Sequence, residues 1–100
     1  MVTLTLTRSR VAAVLTAAAD AFQSQPWEPY RNPLMTAIDE AAGFVPGKGS
    51  VESEAASLAA WDALAAHLGM WPGDWERKAG RTQDEVETAL RGAATQAVTA

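Results

Sequence analysis

Thr82 and Glu85 stand at capping-box spacing, and that pair constrains the chain more than any other feature. In such a box the Thr hydroxyl and the Glu carboxylate each satisfy a backbone N–H left free at the start of a helix. The spacing predicts a helix beginning at Gln83. Behind it Val86, Leu90, Ala93, Ala94 and Ala97 recur at helical intervals, so one stripe faces a core while Arg91 and Gln96 face water.

Similar punctuation predicts three more helices. Thr7 is placed to cap a first helix over 8–23, which carries Val11, Val14, Leu15, Ala18 and Phe22 on one face. Pro26 and Pro29 forbid its continuation and leave a Gln-Pro-Trp-Glu-Pro-Tyr loop. Asn32 as N-cap and Pro33 at the first helical position open a short second helix that buries Leu34, Ala37, Ile38 and Ala41 and stops at Gly43. Ser50 caps a third over 51–68, with a stripe of Val51, Ala55, Leu58, Trp61, Ala65 and Leu68, and Gly69 ends it. Trp71-Pro72-Gly73 reads as a turn. Over residues 1–7, Val2, Leu4 and Leu6 alternate with threonines, a period-two pattern that suits an extended arm. That arm has three open arrangements: across its own bundle, frayed, or paired with a second copy as a homodimer.

The segment around the capping box also resembles a small actinobacterial and actinophage domain family of unknown function. Its members carry Trp-Asn-Asp, a Gly-Arg-Thr segment and a helix of the form Glu-Val-x-x-x-Leu-Arg-x-Ala-Ala. Here Trp75, Gly80-Arg81-Thr82, Glu85-Val86, Leu90-Arg91 and Ala93-Ala94 fit that pattern. Val14 to Asp20 looks like the family's first helix, and Pro33 to Ile38 sits where relatives have Cys-Leu-Leu-Gly-Ala-Leu. The sequence departs at Pro33 for the cysteine, Thr36 for the glycine and Glu76-Arg77 for Asn-Asp. The resemblance implies an all-α fold and a phage or host context, and it implies no activity.

One hundred residues suffice for one domain, 1–100, with the helical part over 8–98. About a fifth of the chain is alanine, which buries little area, so the four tryptophans are expected to make up the volume, each burying about 150 to 250 Å². A net charge of −4 argues against broad attraction to nucleic acid or to an anionic membrane. Without cysteine there is no disulfide framework, thiolate zinc site or cysteine nucleophile. Arg8, Arg10, the apolar run after them and Ala19-Asp20-Ala21 imitate a secretory signal, but the run keeps amphipathic-helix spacing, and a cytoplasmic location is the expectation.

Catalytic groupings are sparse. His67 is the only histidine, and Asp62, five residues before it, lies about 140° round the helix. Asp39-Glu40, Glu52-Glu54 and Asp84-Glu85-Glu87 read as solvated faces that complement helix dipoles. No phosphate loop, nucleophile elbow, His-Glu-x-x-His or other cofactor motif occurs. The expectation is a non-enzyme with no catalytic, metal or cofactor residues.

Two segments carry binding chemistry. Arg77, Lys78 and Arg81 gather just before a helix start, where free N–H groups favour anions, with Trp71 and Trp75 beside them. The alternative there is structural closure, with Arg81 bonding carbonyls or Glu85. Trp27, Tyr30 and Arg31 bring together residue types enriched at interfaces. The expected whole is an all-α, compact four-helix bundle with short loops. Its expected role is a non-catalytic accessory protein that binds a host or phage protein, or itself. A small anionic-ligand or nucleotide module is the alternative. A helix-turn-helix regulator is third, since Asp84, Glu85 and Glu87 would face phosphates.

Overall fold

The structure, a computed structural model, describes residues 7–99. Five helices account for most of them: α1 (Arg8–Ser24), α2 (Leu34–Ala42), α3 (Val51–Leu68), α4 (Pro72–Glu76) and α5 (Gln83–Thr99). The protein is all-α, but four long helices are joined by a fifth short one where the sequence suggests only a turn. Pro72 starts it, since its missing N–H is no loss in a first turn. Apart from Thr7, the expected extended arm lies outside the described residues.

Local caps decide most helix ends. Thr7 Oγ1 accepts from Arg10 N at 3.0 Å and Ser50 Oγ from Ser53 N at 3.1 Å. Thr82 Oγ1 accepts from Glu85 N at 3.2 Å while Glu85 Oε1 accepts from Thr82 N at 3.0 Å, so the box is reciprocal. Gly43 and Gly69 close α2 and α3 at φ of 77° and 71°, the left-handed region that costs a residue with a Cβ most.

The start of α2 differs from expectation. The Asn32 side chain is drawn back to the preceding loop, where its amide donates to the carbonyls of Gln25 and Pro26 at 2.8 and 3.2 Å. Its backbone meanwhile pairs with Glu28 in a small antiparallel bridge. Pro33 becomes the N-cap and has no side-chain cap bond.

Helices α1 and α5 make the most extensive pairing. They run antiparallel, because Asp20 meets Arg91 and the Phe22 carbonyl meets Gln83. The inward face of α3 is rotated from the expected stripe. Ser53, Ala56, Ser57, Ala60, Trp61 and Leu64 point inward, whereas Val51 and Leu58 are exposed. Apolar residues nearly surround α3, so choosing the largest ones misplaces its face. Small side chains turned inward instead let α1, α2 and α5 approach closely. Ser57 donates to Asp39 and so ties α3 to α2.

Nine of the eighteen buried apolar residues among those described are alanine. The tryptophans supply part of the missing volume. The largest fully buried side chains are Phe22, Leu15, Leu34, Ile38, Leu64 and Leu90. Trp61 joins the core, Trp27 and Trp75 pack against its edge, and Trp71 stands outside.

Candidate functional site: an aromatic cleft beside a buried carboxylate

The chain between α3 and α5 is positioned by one carboxylate that sequence reasoning missed. Glu76, at the end of α4, is only 3% exposed. Its Oε2 accepts from Trp27 Nε1 at 3.1 Å and from the backbone N of Leu34 at 3.0 Å. It therefore supplies the cap that α2 lacks and pins the proline-rich loop to α4. Gln83 reinforces that loop: its Oε1 accepts from Trp27 N at 3.0 Å and its Nε2 donates to Phe22 O at 2.9 Å. Trp27, expected as an interface residue, is thus held inward. No local pattern marks Glu76, because its partners lie more than forty positions away.

The expected Trp71 to Arg81 site divides in two. On one side the Arg81 guanidinium carbon lies 3.8 Å from the Trp75 ring centroid, a close cation–π stack. Arg81 Nε donates to the Trp75 carbonyl at 3.0 Å and Nη1 to Glu85 Oε2 at 2.9 Å. These contacts close the loop onto α5. The Thr82 backbone N–H, and after it the Thr82 hydroxyl and Arg81, hold the Glu85 carboxyl below its usual value against a weaker opposing effect of burial. Lys78 is exposed, and its carbonyl accepts from Arg81 N at 3.1 Å.

On the other side Trp71 and Arg77 meet Tyr30, a residue of the second expected patch. The Arg77 guanidinium lies 5.9 Å from the Tyr30 ring centroid. Trp71, 56% exposed, meets Trp61 nearly perpendicularly, with centroids 5.4 Å apart at 74°. Its pyrrole edge rests on Gly73, where an added Cβ would come within 3.1 Å of Trp71 Nε1. Arg31 lies apart, exposed and 3.9 Å from Glu28.

Two adjoining cavities share Met35, Trp61 and Trp71 as a common wall. One, of about 230 Å³, is lined further by Tyr30, Pro33, Glu76 and Arg77. The other, of about 310 Å³, is almost wholly apolar, with Phe44, Pro46 and Leu58 on its walls and Asp39 and Glu54 at its margin. Trp61 is 6% exposed, and its Nε1 is the buried side-chain polar atom without a hydrogen-bond partner among the described residues. A buried donor left unpaired is an unmet demand for an acceptor.

This arrangement offers apolar contact, two indole N–H groups and one guanidinium, which suits recognition. His67 is exposed and paired through Nδ1 with Gln96 Oε1 at 2.8 Å, away from the cleft. Among the described residues no group of three or more His, Cys, Asp and Glu is placed to hold a metal ion. No helix among them is long and apolar enough to cross a membrane. No family model, curated protein or solved structure matches the chain.

Proposed function

We propose that the protein is a non-catalytic interaction module that docks a partner protein on the face made by α2, α3 and α4. The observation that carries this reading is the joined exposure of Tyr30, Met35, Leu58 and Trp71 around one apolar cleft, with Arg77 beside them. Contiguous apolar surface rimmed by polar groups marks binding sites, and Trp, Tyr and Arg dominate the energetics of such interfaces. The setting proposed is the cytoplasm of an actinobacterium or its phage, following the family resemblance. The small-anion alternative rests on Arg77 and the exposed Lys78, since Arg81 is engaged by Trp75 and Glu85.

The test is a pull-down from nuclease-treated actinobacterial lysate with the whole chain, beside a Leu58→Glu variant verified as folded by circular dichroism. A protein retained by the parent and lost by the variant supports the reading. Equal retention by both refutes this face as the contact. Sedimentation of the isolated protein distinguishes self-association, which Leu58→Glu would then abolish.

A further inference from the structure

We infer that the cleft recognises a polar-ended peptide segment of the partner, a bulky apolar side chain flanked by a basic residue on the Glu54 side and an acidic residue on the Arg77 side, with a backbone carbonyl accepting from Trp61 Nε1. This rests on the docking reading above and specifies its chemistry. The apolar cavity of about 310 Å³ is walled by Met35, Phe44, Pro46 and Leu58, and it takes the bulky side chain. At its margin Asp39 already accepts from Ser57, whereas Glu54 is exposed and makes no ion pair among the described residues. A cation is the complement there. At the other end of the shared wall Glu76 has its Oε2 filled by Trp27 and Leu34, whereas Arg77 makes no ion pair among the described residues. A carboxylate is the complement there.

The hydrogen bond comes from the middle of the wall. Trp61 borders both cavities, is almost wholly buried and has an unpaired Nε1. Recognition in this form requires Trp71, which is more than half exposed and sits at the N-cap of α4 without a side-chain cap bond, to turn aside. As it gives way, a peptide carbonyl satisfies the indole donor, and the donor selects an extended backbone over a purely hydrocarbon ligand. The two flanking charges set the direction in which the segment lies.

A random twelve-residue peptide display library, selected on the whole protein with counter-selection on Leu58→Glu, tests this. Enriched sequences are expected to share an apolar position flanked by one basic and one acidic residue, in one consistent order. A synthetic peptide of the best sequence should bind about fivefold more tightly than its charge-reversed counterpart, as two exposed ion pairs allow. A Glu54→Lys, Arg77→Glu protein should invert that preference. In the bound state the Trp61 indole N–H resonance, assigned by Trp61→Phe, should move downfield. Enriched binders with no charge order, or an unmoved Trp61 resonance, overturn the proposed chemistry while leaving the docking face in place. No peptide surviving counter-selection overturns both.

Discussion

Removing the Glu76 carboxylate should unsettle three segments at once. Glu76→Ala leaves Trp27 Nε1–H and the Leu34 N–H without the buried carboxylate that accepts from both. A buried donor stripped of its partner costs about 1 to 3 kcal/mol, so two donors amount to roughly 2 to 6 kcal/mol. Release of a buried charge offsets part of that, which places the expected loss at about 2 to 4 kcal/mol. A domain of this size has only about 5 to 15 kcal/mol in total and loses about 4 to 8 °C of Tm per kcal/mol. The variant should therefore melt about 8 to 32 °C lower. Glu76→Gln keeps an acceptor oxygen and should lose only about 1 kcal/mol. Trp27→Phe removes one donor, so its loss and that of Glu76→Ala should sum to more than the double variant loses, by about 1 to 2 kcal/mol. Urea denaturation followed by circular dichroism, with thermal melts alongside, measures all four. A Glu76→Ala protein within about 0.5 kcal/mol of the parent, or a Glu76→Gln protein as weak as Glu76→Ala, would refute the reasoning.

Glu85 has a lowered folded-state value, so its capping contribution is complete above the ordinary carboxylate value of 4.5 and is lost as pH falls through the lowered one. The Tm difference between the parent and Glu85→Gln should accordingly shrink on acidification below 4.5, and a pH-independent gap would contradict the assignment. Gly69→Ala forces a Cβ into a residue at φ 71° and should lower stability by about 1 kcal/mol in denaturant titrations. Gly73→Ala adds a Cβ 3.1 Å from Trp71 Nε1 and 3.2 Å from its Cδ1, with no other residue crowded. It should leave stability within about 0.5 kcal/mol, because helix propensity favours alanine, while shifting the Trp71 fluorescence. An unchanged emission spectrum would mean that Trp71 does not rest there.

Helix ends were legible because each depends on residues within three or four positions: Thr7, Ser50, the Thr82–Glu85 pair, Gly43 and Gly69. The inward stripes of α1 and α5 were legible for the same reason, since each has one face of larger apolar residues. The face of α3 was not, because Ser53, Ala56, Ser57 and Ala60 are buried for their smallness and Leu58 is left outside. Only the neighbours of α3 decide that. The cap on α2 escaped for a related reason: Asn32 looks like a capping residue, but the loop behind it takes its side chain. Of the candidate residues, closure by Arg81 was readable as one of two alternatives from its spacing to Glu85. The meeting of Tyr30 with Trp71 and Arg77 was not, because it depends on how α4 docks against α2.

The Glu76 cap also orders events in time. The first amide of α2 is held by a side chain 42 residues further along, and the Trp27 indole by the same oxygen 49 residues away. Neither bond forms until the chain has returned over that distance, so the first turn of α2 is a late acquisition in folding and an early loss in opening. α2, the proline-rich loop and α4 consequently open as one cooperative unit. The cleft around Trp71 is formed between that unit and Trp61 of α3, so whatever fills it binds only the closed form and holds the unit shut. Occupancy of the cleft is thereby readable from a distance, as slowed exchange of the Leu34 amide.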